Sequence, residues 1–182
     1  VMCVGRGPLT DGLLAEGTGV ELDERGFIKV TETMRTTAEG IWAVGDCVPT
    51  AQLAHIGFAE AILAIKDIKG EDVVPIAYDK IPACVYTHPE AAWAGLTEAQ
   101  AKEKGYDVVV EKMRWMGNGR AIIVGTTDGM VKIIAEKNED GTAGTILGVH
   151  MAGPWVTEQL GQAYLSVNWE ATVDDVAALI QP

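Results

Sequence analysis

The sequence predicts two fold classes in succession, α/β in the first part of the chain and α+β in the second. The α/β prediction depends on Gly40–Asp46 (GIWAVGD), an apolar run that ends in a glycine and an aspartate, and on the helical pattern that follows it. In open parallel sheets, ligands bind at such junctions, outside the carboxyl ends of the strands. In residues 81–182 the pattern predicts a strand, a helix, a run of further strands and two helices, which favours an antiparallel sheet with helices on one face.

The elements of the first part are short strands. Val1–Val4 is an apolar run that predicts a strand ending at the turn Gly5–Pro8 (GRGP). Val20–Leu22 and Phe27–Val30 flank the turn sequence DERG and predict a hairpin. Ile41–Val44 is predicted to be a buried strand.

A helix is predicted after the Gly-Asp junction. Between Ile56 and Lys69, apolar residues recur at helical spacing, and Gly70 is a natural stop. The apolar residues of this pattern are Ile56, Ala59, Ile62, Leu63 and Ile65. Glu71–Lys80 carries charge and a proline, which is typical of a linker, so we place a domain boundary near Asp79–Ile81.

The second part contains five predicted strands and three predicted helices. Thr97–Gln100 is a capping-box pattern for a short helix that ends at Gly105. Gly153–Pro154 begins a helix that runs to about Trp169, and Thr172 caps a last helix over Val173–Ile180. The strands are predicted over Ala83–Thr87, Val108–Trp115, Ala121–Gly125, Met130–Glu136 and Thr145–Met151.

Composition excludes several functional classes. The chain of 182 residues has a formal net charge of -12 and a pI of about 4.6, which argues against nucleic-acid binding, because that needs a basic face. No apolar run approaches the ~20 residues that a membrane span requires. The chain starts without a signal-peptide pattern, and we expect it to begin inside a longer protein.

The cysteines indicate a reduced, cytoplasmic location. Cys3, Cys47 and Cys84 are widely spaced and form neither a CxxC nor a CxxxxC motif. We interpret them as small buried hydrophobic residues rather than a redox pair. With three histidines and no ligand-spaced set of cysteines or carboxylates, the sequence predicts no metal site.

Two sets of motifs carry a resemblance to a known family. Gly40–Asp46, followed by Leu53–His55 (LAH), resembles the second flavin motif of the FAD-dependent pyridine nucleotide–disulfide oxidoreductases, in the dihydrolipoamide dehydrogenase branch. The motifs of the second part are similar to the dimerisation domain of the same family. They are Tyr86–Glu90 (YTHPE), Gly95–Glu98 (GLTE), Ile146–His150 (ILGVH) and Gly153–Pro154.

The resemblance implies a domain organisation. Residues 1–10 correspond to the end of an NAD-binding domain, residues 11–80 to the second segment of a Rossmann-like FAD-binding domain, and residues 81–182 to a dimerisation domain truncated at its C-terminus. It also implies that the catalytic residues lie outside the chain, with a CxxxxC pair before Val1 and a His-Glu motif just after Pro182.

The resemblance further implies a cofactor site. Asp46 would bind ribitol hydroxyls of FAD, Gly45 would let the backbone approach the pyrophosphate, and Gln52–His55 would approach the flavin ring. Gly5 corresponds to a glycine that approaches the cofactor, in a match to the family's Gly-Arg-x-Pro pattern. The cofactor-binding residues are therefore predicted to be Gly5, Gly45, Asp46, Gln52, Leu53, Ala54 and His55.

Glu60 and His88 are two further candidates for a functional role. Glu60 fits an Ala-Glu pair of the family, but a solvated helix face or a local cap is the favoured interpretation. His88, in the YTHPE segment, is assigned a structural rather than a catalytic role, and His55 is not proposed as a base.

The implied activity is that of the parent protein. It would oxidise dihydrolipoyl groups on the acyltransferase core of a 2-oxoacid dehydrogenase complex and pass electrons through a disulfide and FAD to NAD. The active site would be completed across a homodimer, and this chain alone would be inactive. Two alternatives remain open: a mercuric- or glutathione-type disulfide reductase, and a non-catalytic dimerisation module.

Overall fold

The computed structural model of the protein describes residues 1–180. The chain divides into two compact units, the first formed by Val1–Tyr78 and the second starting at Asp79. No helix within the described residues has both the length and the apolar character that a membrane crossing requires.

The first unit contains one regular helix, α1 (Ala54–Ile68), which confirms the predicted helix. It begins two residues earlier than predicted, and Gly70, with φ +72°, follows its last turn. Ile56 and Leu63 are buried as the pattern requires, whereas Ala59 is exposed. Ile62 and Ile65 are also more than half exposed.

The remainder of the first unit is stabilised by turns and isolated β-bridges. The predicted hairpin is reduced to a bridge between Leu22 and Ile28 around an Asp23 turn. Within the described residues, Val1–Val4 forms no strand. Ile41–Val44 is not the buried strand that we predicted: it makes one antiparallel bridge, Trp42 with Arg35, and Ile41 is 40% exposed. A strand becomes regular and buried only when it pairs with neighbouring strands. Within residues 1–180, the segment Ile41–Val44 makes one such bridge.

A small core stabilises this unit. Met34 and Leu63 are buried together with Ala64, and Trp42 packs against them. On the rim of this core, the Asp67 carboxylate accepts hydrogen bonds from Arg35 Nε at 2.6 Å and from Trp42 Nε1 at 2.7 Å. These hydrogen bonds lower the pKa of Asp67.

The second unit is built on a five-stranded antiparallel sheet with the order β1-β2-β5-β4-β3, which agrees with the predicted α+β class. Its central strand, β5, is the longest. The strands are β1 (Pro82–Val85), β2 (Glu90–Gly95), β3 (Val108–Arg114), β4 (Met130–Lys137) and β5 (Ala143–Gly153).

One of the five strands was assigned to the wrong segment. Ala121–Gly125 was predicted to be a strand, but these residues lie in or directly after helix α3 (Gly119–Ile123). The Asn118 side chain caps the N-terminus of this helix and accepts a hydrogen bond from Ala121 N–H at 3.0 Å. The strand β2, rich in alanine, was not predicted. Alanine has a low strand propensity, yet Ala92 and Ala94 are completely buried because the sheet pairs on both sides and helix α4 (Val156–Asn168) packs over them.

The helices lie on both faces of the sheet rather than on one. Helix α4 packs on the face that carries Ala92, Val149 and Met151. Ile134 lies on the opposite face and packs with Ala101 of helix α2 (Glu98–Glu103). Register explains this arrangement, because Ile134 follows Ile133, the direct partner of Val149, and successive side chains of a strand point to opposite faces.

The predicted helix caps are confirmed. Thr97 and Gln100 form the capping box of α2, and Thr172 and Asp175 form that of α5 (Val173–Ala177), a helix shorter than predicted. Helix α4 begins at Val156, so that Pro154 lies before the helix and not in its first turn.

Candidate functional site

The Gly-Asp junction forms a short 3-10 turn, Gly45–Cys47, directly after Val44. Gly45 has φ +77°, a left-handed conformation that favours glycine. No heavy atom lies within 4 Å of the position where a Cβ would project from Gly45. The backbone is therefore open on this side to a ligand that approaches it closely.

Asp46 presents an exposed carboxylate beside this opening. Its side chain is 62% exposed, and its Oδ2 lies 3.8 Å from Arg6 Nη1. An exposed pair of this kind contributes little to stability. The carboxylate oxygens remain available as acceptors for hydroxyl groups of a ligand.

Arg6 and Gln52 connect the predicted binding segments. Arg6 Nη2 donates a hydrogen bond to the Gln52 carbonyl oxygen at 2.5 Å. Gln52 Nε2 donates to the Asp46 carbonyl oxygen at 3.2 Å. The structure thus brings Asp46 and Gln52 together, with Gly5 next to Arg6 in the chain. Gly5 has φ +148°, and nothing lies within 4 Å of its Cβ direction.

The start of helix α1 completes this cluster. Leu53 is the extended N-cap residue and its side chain makes no capping hydrogen bond. Its carbonyl oxygen accepts from Ile56 N–H at 2.9 Å and Gly57 N–H at 3.2 Å. Ala54 and His55, the first two helical residues, are exposed. A helix N-terminus favours an anionic ligand because its amide groups carry partial positive charge.

Glu60 is the residue for which our interpretation was wrong. It is completely buried, and it does not lie on a solvated helix face. Its Oε2 accepts a hydrogen bond from Gly45 N–H at 2.7 Å, and its Oε1 accepts one from the Tyr78 hydroxyl at 2.9 Å. The helical pattern contained this information, because position 60 is four residues after buried Ile56 and three before buried Leu63.

Tyr78 was missed by the sequence analysis, since no motif contains it. Burial raises the pKa of its hydroxyl, and the hydrogen bond to Glu60 raises it further. The hydroxyl therefore stays protonated and remains a donor to Glu60 at every pH at which the protein is expected to work.

The three cysteines lie in different environments. Cys47 Sγ donates to the Val44 carbonyl oxygen at 3.3 Å, and burial raises the pKa of its thiol. Cys3 is exposed, contrary to the expectation of a buried residue, and Cys84 is half-buried. Residues 1–180 contain no group of three His, Cys, Asp or Glu side chains that could bind a metal ion.

The YTHPE segment has a structural contact at its end. Glu90 Oε2 accepts hydrogen bonds from the backbone N–H of Thr157 at 3.1 Å and from its hydroxyl at 2.7 Å. Thr157 lies in the first turn of α4. Glu90 therefore binds to the N-terminus of this helix, where a carboxylate is stabilising.

Comparison with protein families covers both units. Residues 81–182 match the dimerisation domain of the pyridine nucleotide-disulphide oxidoreductases, and residues 1–61 match the pyridine nucleotide-disulphide oxidoreductase model. The mitochondrial dihydrolipoyl dehydrogenase of Canis lupus familiaris is 40% identical over 97% of this chain and 34% of its own length. The dihydrolipoyl dehydrogenase of Thermus scotoductus is 38% identical over 100% of this chain and 38% of its own length.

Solved structures show the same likeness. LpdA from Mycobacterium tuberculosis superposes with a TM-score of 0.90 and 27% identity, over 100% of this chain and 39% of that one. RclA from Escherichia coli, an HOCl-induced flavoprotein disulfide reductase, gives a TM-score of 0.86 and 26% identity, over 98% of this chain and 40% of that one. This chain thus spans somewhat more than a third of the length of these relatives. On these matches, the chain belongs to the pyridine nucleotide-disulphide oxidoreductase family.

Proposed function

We propose that the cluster around Gly45 is part of an FAD site. The observation that carries the proposal is the open left-handed turn at Gly45, next to the exposed carboxylate of Asp46 and the start of α1. The groups around this turn fit the cofactor. Backbone at Gly5 and Gly45 has no side chain in the way, Asp46 supplies acceptors for hydroxyl groups, and the helix start supplies amides.

The residues of the cluster have different roles in this proposal. Asp46 accepts hydrogen bonds from ribitol hydroxyls, and Gly45 lets the backbone approach the pyrophosphate. The backbone of the segment Gln52–His55 would approach the flavin ring. Arg6 keeps Asp46 and Gln52 adjacent through the contacts described above. When bound, FAD supplies two-electron transfer, which none of these side chains provides.

We further propose that the protein carrying this sequence oxidises protein-bound dihydrolipoamide to lipoamide, with NAD as the electron acceptor. Identities of 38–40% to dihydrolipoyl dehydrogenases over 97–100% of the chain support this activity. The sequence itself contains neither a CxxxxC pair nor the glycine fingerprint of a nucleotide-binding βαβ unit. We therefore expect the 182-residue polypeptide alone not to turn over dihydrolipoamide.

The proposed partners follow from the second unit and from the relatives. Residues 81–182 would form a homodimer, as the name of the matching domain suggests. The lipoylated acyltransferase core of a 2-oxoacid dehydrogenase complex would supply the substrate. We propose the domain boundaries given above for the sequence, with residues 11–80 as the FAD-binding segment, and a cytoplasmic location.

A related disulfide reductase is the second candidate function. It is favoured by the superposition on RclA, a flavoprotein disulfide reductase, with a TM-score of 0.86. The lower identity, 26% against 38–40%, places this candidate behind the first.

The test uses the complete product of the gene that encodes this sequence. We expect it to purify with bound flavin and to reduce NAD with dihydrolipoamide faster than it reduces oxidised glutathione or mercuric ion with a reduced pyridine nucleotide. The reverse preference would favour the second candidate, and a dimer without flavin would favour a non-catalytic module.

The Asp46→Ala variant tests the site itself. We expect it to bind FAD roughly 10- to 150-fold more weakly, because it loses charge-assisted hydrogen bonds worth roughly 1.5–3 kcal/mol. Asp72→Ala is the matched control, since Asp72 is an exposed aspartate of the same unit outside the cluster. Equal FAD affinities of the two variants would remove Asp46 from the proposed site.

A further inference from the structure

We propose that Glu60 and Tyr78 are positioning residues of the flavin site, which fix the Gly45 turn without contacting the cofactor. The inference rests on the proposed function, because it takes FAD to be the ligand of this turn. The roles of the predicted binding residues do not explain why the Glu60 carboxylate is buried, whereas a positioning role does.

The Glu60 carboxylate connects three segments of the first unit. It lies on α1, its Oε2 accepts from the Gly45 N–H, and its Oε1 accepts from the Tyr78 hydroxyl. These partners are 15 and 18 residues away in sequence. Both carboxylate oxygens are therefore engaged by groups whose positions depend on the fold and not on local chain geometry.

A second contact places α1 directly behind the turn. A Cβ on Gly57 would lie 3.4 Å from Gly45 Cα, so the helix backbone approaches the turn closely. Gly57 and Glu60 are three residues apart and share a helix face. Gly45 is thus supported by α1 through two neighbouring contacts, whereas its Cβ direction is open.

The burial of Glu60 argues for a positional role. Burial of a carboxylate costs free energy unless donors or a cation compensate it. In the part of the chain that the structure describes, Glu60 makes no ion pair, and the donors to its carboxylate are the uncharged Gly45 amide and Tyr78 hydroxyl. An apolar side chain would fill this space at lower cost, but it would not bind the Gly45 amide. We infer that the fixed orientation of the turn, and hence of Asp46 next to it, is what the carboxylate provides.

The experiment measures the FAD dissociation constant and the melting temperature of the complete gene product for four variants. Glu60→Ala removes both hydrogen bonds, and we expect FAD binding to weaken by about tenfold or more. Glu60→Gln keeps an acceptor for Gly45 N–H, and its amide can donate to the Tyr78 oxygen, so we expect binding within about threefold of the wild type. Tyr78→Phe removes one donor, and we expect a loss of about fivefold.

Leu63→Ala is the matched control for stability. Leu63 is a buried residue of the same helix in the core with Met34, and its side chain has no acceptor for the Gly45 N–H. We expect it to lower the melting temperature while leaving the FAD dissociation constant unchanged. Rescue by glutamine together with an unchanged affinity in the control would separate positioning from general destabilisation.

The outcomes also separate this inference from the proposed function. A wild-type protein that binds no FAD overturns the proposed function. A wild type that binds FAD, with Glu60→Ala and Tyr78→Phe binding as tightly as Leu63→Ala, overturns the positioning role alone. If Glu60→Ala does not fold, the comparison of Tyr78→Phe with Leu63→Ala decides.

Discussion

At the scale of single residues, the sheet depends on a glycine where two strands approach each other closely. Gly95, the last residue of β2, pairs with Gly148 of β5 and has φ +80°. A Cβ at this position would lie 2.3 Å from the Leu147 carbonyl oxygen. Gly105, after α2, has a similar φ of +90°, but nothing lies within 4 Å of its Cβ direction. The two glycines therefore separate the effect of backbone conformation from that of steric contact.

We expect Gly95→Ala to lower the free energy of unfolding by roughly 3 kcal/mol or more, because it adds a steric clash to an unfavourable φ. Gly105→Ala should cost only about 1–2 kcal/mol, since it carries the φ penalty alone. Urea denaturation of both variants measures the difference. Equal losses would show that strand β2 moves to relieve the contact.

At the scale of elements, helix α2 is connected to strand β4 through one carboxylate. Glu98 Oε1 lies 2.8 Å from Lys102 Nζ within the helix, and Glu98 Oε2 lies 2.9 Å from Lys132 Nζ on β4. These two ammonium groups lower the pKa of Glu98 to about 2, mainly through their hydrogen bonds. The pair with Lys132 is the one that links the two elements.

This arrangement predicts an acid-dependent loss of stability. A carboxyl group whose pKa is lowered in the folded state stabilises the protein above its ordinary pKa of 4.5, and this contribution is lost as the pH falls toward about 2. We expect Glu98→Gln to remove part of the decline in unfolding free energy over that range. Glu103→Gln, an exposed change on the same helix, is the control and should leave the pH profile unchanged.

A comparison of predicted and observed elements shows which features a local sequence pattern can predict. The capping box at Thr97 and the cap at Thr172 were predicted correctly, because a cap is a contact between residues three apart. The prediction missed strand β2, and it assigned residues of helix α3 to a strand. The residues Ile122 and Ile123 have strand propensity, but they are exposed in a short capped helix, whereas the alanines of β2 are buried by pairing with β1 and β5.

At the scale of the whole molecule, the proposal of a homodimer is the one that can be tested most directly. The second unit matches a dimerisation domain, and it exposes large aromatic side chains of a kind enriched in interfaces, including Trp155 at 59% and Trp169 at 76%. We expect the complete gene product to have the mass of a dimer in light scattering after gel filtration. A monomeric mass at every concentration tested would remove the homodimer from the proposed function.

The sequence by itself determined the family, the two fold classes, the caps and the long helix α1. These features depend on short motifs or on contacts between residues a few positions apart, so they are visible in a linear pattern. The sequence also predicted the flavin-binding residues, and the structure brings Asp46 and Gln52 into one cluster with the helix start; their role in binding remains a proposal.

Only the tertiary structure decided which segments are buried and what their polar groups contact. Glu60 looked like a surface residue because carboxylates are rarely buried without a partner, and its partners, Gly45 and Tyr78, are distant in sequence. The same reason explains the misassigned strand, since a strand is defined by neighbours that the local sequence does not contain. Long-range hydrogen bonds therefore determined the parts of the fold and of the candidate site that the pattern of residues did not.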